Sequence, residues 1–345
     1  MLTEICKKSF IIGVTLCRYR VKSNFTHLRT ICNLNMKLAP TVKLNNGYEM
    51  PVLGLGTYEL KKSKCENAVR YALETGYRHI DTAYLYRNEA LIGKVLSEEI
   101  LAGKIKRDQV FLVTKLWDIY HEPFRVLEAC RMQLRLLNVQ YIDLYLMHSP
   151  VSVHYLSDED LMPHRNEELW TNNVDYLDTY RAMEKLVEMG LVRSLGVSNF
   201  NLTQLQRLID NCHIKPVALQ IECHIELIQW PLLKFCEKEN IVVTAYSPLG
   251  RPKSSKPLPD YYTDYQILEI SKKYAKSPAQ IVIRYLVDIG LIPIPKAAQT
   301  NHLYENLQIF DFTLSVSERQ QLEKWNKGLR IWKFEKAKYH QYYPY

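Results

Sequence analysis

The chain has 345 residues, 47% of them apolar, with a net charge of +8, a length and composition that suit one large core in a single domain. No apolar run reaches the roughly 20 residues needed to cross a bilayer, because the stretch from Ser9 to Cys17 is broken off by Arg18 and Arg20; a membrane protein is not expected. Net +5 falls in residues 1–36 and +3 in the remainder, so the body is too mildly basic to read as a nucleic-acid binder.

The eight cysteines, at positions 6, 17, 32, 65, 130, 212, 223 and 236, form no C-x-x-C pair and have no His at zinc-ligand spacing. Reduced cytosolic thiols and no metal are the expectation. Residues 1–36 are basic, poor in acids and contain several Ser and Thr. Three readings stay open: an extension ahead of a start at Met36, a targeting segment of mitochondrial type, or a disordered arm. The folded domain is expected over residues 37–345.

Along that domain the pattern begins with a β-hairpin over Val42 to Glu49, turned by Asn45-Asn46-Gly47 and placed to close the bottom of a barrel. Eight β-branched runs then alternate with amphipathic stretches: Leu53–Thr57, His79–Thr82, Phe111–Lys115, Ile142–Met147, Ser194–Ser198, Ala218–Glu222, Val242–Tyr246 and Ile292–Lys296. Eight such cycles predict an α/β fold, the parallel (β/α)8 TIM barrel. After the first strand, Ser63-Lys-Cys-Glu66 reads as a capping box for a helix with Cys65, Ala68, Val69, Ala72 and Leu73 inward and Gly76 as its stop. The stretch before Gly190 repeats that logic, and Ser277-Pro278-Ala279-Gln280 starts a helix with Ile281, Val282, Tyr285 and Leu286 inward. Two long segments lack a period, Ser152 to Asn173 and the aromatic tail from Lys327 to Tyr345; long loops of this kind are often functional.

Polar residues cluster where these strands end: Asp81 and Tyr86 after the second, Lys115 at the third, His148 at the fourth, Ser198 and Asn199 at the fifth, Gln220 in the sixth, Tyr246 at the seventh and Lys296 at the eighth. In a barrel these ends share the rim on which active sites are built. A buried lysine beside a tyrosine lowers the phenol pKa, and an aspartate paired with the lysine keeps it charged. Such a tyrosine can act as a general acid toward an alkoxide formed at a carbonyl carbon.

Residues 76–89, GYRHIDTAYLYRNE, resemble the first signature of the aldo-keto reductase superfamily. Residues 183–200, MEKLVEMGLVRSLGVSNF, resemble the second, and Ile294-Pro-Lys296 with Glu305-Asn306 the third. The resemblance runs from about Thr41 to Tyr345. It implies a catalytic tetrad of Asp81, Tyr86, Lys115 and His148, with Tyr86 as proton donor and His148 orienting the substrate carbonyl; His in place of Glu there favours carbonyl reduction over double-bond reduction. It further implies that Ser198, Asn199 and Gln220 hold the carboxamide of a nicotinamide cofactor, that Tyr246 stacks on its ring, and that Ser247 and Leu249 follow the pyrophosphate. Lys296, His302, Glu305 and Asn306 would serve its adenosine end, and Tyr58, Trp117, Ser149 and Trp332 the substrate, with small Ser149 leaving space for a lipophilic ketone.

Two positions depart from the family pattern. Ala297 stands where the family usually has Ser, and His302 where an arginine grips the 2′-phosphate. NADPH is the expected cofactor, with NADH left open by these departures and with Arg251 and Lys253 as candidate compensating charges. Gly54-Leu-Gly56 continues Thr-Tyr-Glu and so fails the Rossmann fingerprint. The expectation is therefore an NADPH-preferring reductase of aldehydes or ketones, including ketosteroids, acting as a cytoplasmic monomer on a small-molecule carbonyl substrate. Its rival is a relative that binds cofactor without turnover.

Overall fold

A β-hairpin, Thr41–Lys43 paired antiparallel with Glu49–Pro51, turns through Asn45-Asn46-Gly47, with Gly47 in the left-handed region at φ 91°. Its turn is pinned from outside: Asn45 Nδ2 donates to Pro216 O at 2.9 Å and Asn46 Nδ2 to Ser194 Oγ at 3.0 Å. Leu44 and Met50 are thereby buried against Phe111, Val113, Leu144, Leu146, Ala218 and Ile292, so the hairpin plugs one end of the sheet as expected. The computed structural model describes residues 38–250 and 258–345; the readings made for residues 1–36 and for Arg251 and Lys253 lie outside these.

Eight parallel strands follow: Leu55–Gly56, His79–Asp81, Phe111–Leu116, Leu144–Met147, Leu195–Ser198, Ala218–Glu222, Val242–Tyr246 and Leu291–Pro293. They pair in chain order. The first strand meets the last through Gly54 N donating to Pro293 O at 3.1 Å and Gly56 N to Pro295 O at 3.3 Å. The sheet thus curls into a (β/α)8 barrel. Close approach at this seam requires glycine, since a Cβ at Gly56 would lie 2.5 Å from Ile294 O.

Several strands are shorter than the sequence suggests. The eighth stops at Pro293, because Pro293 and Pro295 have no N–H to donate to a ladder. Lys296 therefore lies three residues past the strand and does not end it. Ile142 makes only an isolated bridge to Val192, which moves the start of the fourth strand to Leu144.

The helix over Lys62–Thr75 buries the expected Cys65, Ala68, Val69, Ala72 and Leu73 and ends at left-handed Gly76, φ 109°. Its start differs: Lys61 is the N-cap, with no side-chain capping bond, so Ser63 lies inside the first turn and is not a cap. The Ser277–Gln280 capping box is present ahead of Pro278–Asp288. The long loop after the fourth strand carries a small ribbon, His164–Arg165 against Glu168–Leu169. The tail holds one 3-10 turn, Glu335–Ala337. Among the described residues no helix is long and apolar enough to cross a membrane, and no group of side chains is arranged to hold a metal ion. The five described cysteines are free.

Candidate functional site

Adjacent strands of the barrel bring Asp81 and Lys115 together in its interior, each 1% exposed. Lys115 Nζ donates to Asp81 Oδ1 at 2.6 Å, to Thr82 O at 2.8 Å and, more weakly, to the Tyr86 hydroxyl at 3.4 Å. The second carboxylate oxygen of Asp81 accepts from Gln220 Nε2 at 2.7 Å. Tyr86 is brought back toward the lysine by the 3-10 turn Tyr84–Tyr86, closed by left-handed Arg87. Burial pulls the Lys115 ammonium below its ordinary pKa, and the contact with Asp81 opposes that pull.

The phenol of Tyr86 corrects one expectation. Burial, then Asp81 and Tyr58, push its pKa well above the usual value, whereas the neighbouring lysine was expected to lower it. The desolvation of a phenolate outweighs one hydrogen bond of 3.4 Å. Tyr86 therefore stays protonated near neutral pH, with its hydroxyl able to act as a donor. His148 follows the fourth strand directly and packs edge-on to Trp117, ring centroids 4.8 Å apart. Burial, then Lys115, hold it well below its ordinary pKa, so it is neutral and can donate one N–H to a carbonyl oxygen.

These groups face a cleft of about 780 Å³. It is lined by the expected Asp81, Tyr86, His148, Ser198, Asn199, Gln220, Tyr246, Ser247, Leu249, Lys296, Tyr58, Trp117 and Trp332. Asn199 and Ser247 both take left-handed backbone, φ 61° and 51°, a conformation that costs energy in non-glycine residues and gathers at functional sites. Lys296 reaches Glu59 Oε2 at 3.4 Å in an ion pair open to solvent.

Five expected residues do not line that cleft: Lys115, which lies behind Asp81 and Tyr86, and four that lie elsewhere. His302, Glu305 and Asn306 sit on the helix Thr300–Leu307, His302 exposed in its first turn. Ser149 is fully buried and turned elsewhere: its hydroxyl donates to Asp118 Oδ2 at 2.9 Å and accepts from Val151 N at 3.1 Å. It ties the turn after His148 to the turn after Trp117 and leaves no extra space for substrate. The sequence reading missed Leu85, Met162, Leu169 and Phe334, which also line the cleft. Two of these come from the aperiodic loop and one from the tail, the segments whose lack of period was their only signal.

The tail is fastened by a residue the sequence reading left as a plain strand end. Glu222, fully buried, accepts from Ile331 N at 2.7 Å and from Trp332 N at 2.8 Å, and its Oε1 lies 3.0 Å from His224 Nε2. Trp332 then reaches Ser247 Oγ at 3.2 Å and stacks edge-on to Tyr58.

An eight-stranded barrel with a buried Asp81–Lys115 pair reaching a half-buried Tyr86, and with His148 at the carboxyl ends of its strands, is the arrangement of an α/β-barrel oxidoreductase of carbonyl compounds. The family model described as Aldo/keto reductase family matches residues 52–327, and the chain belongs to this family. It is similar to "Aldo-keto reductase family 1 member A1-A" of Danio rerio, 37% identical over 325 residues, which cover 89% of this chain and 99% of the relative. Among solved structures it resembles the aldose reductase of Schistosoma japonicum, with TM-score 0.84 and 40% identity over 89% of this chain and 98% of the other. It also resembles a Bombyx mori aldo-keto reductase solved in complex with NADP, with TM-score 0.82 and 37% identity over 90% and 100%. As a family member the chain is an NAD(P)H-dependent enzyme.

The support beneath the site predicts a pH effect on stability. Burial pushes the Asp118 carboxyl up to about 8 and the neighbouring His121 down to about 3, so both are neutral at pH 7. A carboxyl whose folded value is raised stabilises the fold fully below its unfolded value, and the contribution is lost as pH rises toward the folded one. Asp118→Asn, which does not titrate, should match wild type in unfolding free energy at roughly pH 4 and gain on it steadily toward pH 8. Denaturant titrations across that range test this; parallel pH profiles for the two proteins would contradict it.

Proposed function

We propose that the chain is an NADPH-preferring reductase of lipophilic aldehydes and ketones, ketosteroids among them, with Asp81, Tyr86, Lys115 and His148 as its catalytic residues. The observation that carries this reading is the Tyr86 hydroxyl, hydrogen-bonded to a buried Lys115–Asp81 pair and opening with His148 onto a cleft walled by Leu85, Trp117, Met162, Leu169, Trp332 and Phe334. An apolar and aromatic wall suits a lipophilic substrate, while two donors at one end orient a single carbonyl oxygen.

The residues present fit a nicotinamide cofactor. The amides of Asn199 and Gln220 and the Ser198 hydroxyl offer the donors and acceptors that a carboxamide needs, and Tyr246 offers an aromatic ring in the same wall. When bound, the cofactor supplies a hydride to the carbonyl carbon. His148 and Tyr86 polarise the carbonyl oxygen by hydrogen bonds. As negative charge grows on that oxygen, Tyr86 gives it the phenolic proton; an alkoxide is a stronger base than a phenolate, so the raised phenol pKa does not bar the transfer. Lys115 stabilises the phenolate left behind, and Asp81 keeps that lysine charged. Their stabilisation is strongest where charge develops, which is what accelerates a reaction.

Tyr86→Phe should lower the reductive kcat by about 10² to 10⁴, the usual contribution of a general acid, while leaving the NADPH dissociation constant nearly unchanged. Steady-state turnover on a panel of aldehydes, sugars and ketosteroids, with cofactor binding followed by nicotinamide fluorescence, tests both parts. Wild-type turnover in the variant would refute the assignment of Tyr86.

His302 weakens the case for NADPH, since it replaces the arginine that the family sets against the 2′-phosphate; it lies in the first turn of Thr300–Leu307, where the helix dipole still favours an anion. Arginine adds a permanent, two-pronged charge. His302→Arg should tighten NADPH by about 1–2 kcal/mol, the scale of a charge-assisted hydrogen bond partly screened by solvent, and leave NADH unaffected. Equal changes for both cofactors in binding titrations would place His302 away from the phosphate.

A further inference from the structure

If Asn199 receives the nicotinamide carboxamide, as proposed above, its side chain is already fully engaged by the protein. Its oxygen accepts from the Tyr246 hydroxyl at 2.8 Å and from the hydroxyl of Tyr345, in the aromatic tail, at 3.2 Å. Its nitrogen donates to His148 O at 2.8 Å and lies 3.1 Å from Ser198 Oγ. An amide oxygen has two lone pairs, and two hydroxyls saturate it. A carboxamide N–H that donates to Asn199 must therefore displace one of them.

The two hydroxyls are not equally fixed. Tyr246 ends a barrel strand, locked in register opposite Glu222, and makes the shorter bond. Tyr345 makes the longer one, and its residue is 38% exposed. It is retained from outside by the Arg330 guanidinium, 3.7 Å over its ring, which is itself held by donation to Gln229 Oε1 at 3.0 Å. Letting the Tyr345 ring swing outward costs its hydrogen bond to Asn199, the Arg330 contact and the ring contacts with Phe334 and Tyr343, but disturbs no buried core packing.

We propose that Tyr345 competes with the cofactor for Asn199: its hydroxyl holds the acceptor before the nicotinamide enters and releases it when the carboxamide arrives. The tail, which Glu222 and Arg330 keep in place, thereby sets the affinity of the site for the nicotinamide end of the cofactor. This end is common to NADPH and NADH and absent from 2′,5′-ADP, so the competition acts equally on both dinucleotides and not on the adenosine fragment.

Dissociation constants of NADPH, NADH and 2′,5′-ADP, measured calorimetrically for wild type and Tyr345→Phe, test this. The phenylalanine keeps the ring over Arg330 and removes only the competing hydroxyl. Both dinucleotides should bind about three- to tenfold more tightly to the variant, the range of one neutral hydrogen bond, with 2′,5′-ADP unchanged. Unchanged or weaker dinucleotide binding, or an equal gain for 2′,5′-ADP, would overturn the competition while leaving the cofactor reading intact. A wild-type protein that binds neither dinucleotide would overturn both.

Discussion

Lys115 and Asp81 place two opposite charges 2.6 Å apart inside a barrel, where each alone would be far out of equilibrium with water. Removing one partner of such a pair typically costs about 3–5 kcal/mol, because the other is left charged and buried. The arrangement survives because the remaining hydrogen-bonding capacity is also met: Thr82 O takes a second proton of the ammonium and Gln220 covers the second carboxylate oxygen. Asp81 and Thr82 belong to the second strand and the residue after it, Lys115 to the third and Gln220 to the sixth, so the pair is satisfied only when the sheet has curled. Gly56, whose backbone meets the eighth strand with no room for a Cβ, and the hairpin residues Leu44 and Met50 that fill the floor therefore serve the same end as the charges. They close the barrel that keeps water from the ion pair.

Around this fixed centre the cleft is assembled from less regular parts. Glu222, buried at the end of the sixth strand, accepts two tail N–H groups in succession and so converts an aperiodic segment into a wall. Below Trp117, the Ser149 hydroxyl bridges to Asp118, holding the turns after the third and fourth strands at fixed separation. Asp81, Lys115 and Gln220 are held on strands, where position is rigid, whereas the tail and loop that complete the cleft can vary in shape at low cost.

The sequence made the barrel legible because hydrophobic period and strand count are local properties: each run of β-branched residues and each amphipathic helix could be read without its neighbours. The site was legible through one further regularity, that polar residues such as Asp81, Lys115 and Tyr246 fall at strand ends. What escaped depends on non-local geometry. Ser149 sits in the right place along the chain, but its hydroxyl finds Asp118 and turns from the cleft. The pKa of Tyr86 depends on how far it is buried, which no motif encodes. Glu222 carries the same strand-end signal as the other site residues, yet its partners lie more than a hundred positions away in a segment without period. Ser63 followed the pattern of a cap, but the N-cap is Lys61, two residues earlier.

The central claim is that Lys115 acts on the reaction through Tyr86, by stabilising the phenolate that proton transfer leaves. A double-mutant cycle on the reductive kcat, with Tyr86→Phe, Lys115→Met and the double variant at matched pH and saturating cofactor, measures that coupling directly. Residues that act as a unit lose their effects together, so the double variant should be about as slow as Tyr86→Phe alone. Additive losses, with the double variant slower by the product of the two single effects, would contradict the account.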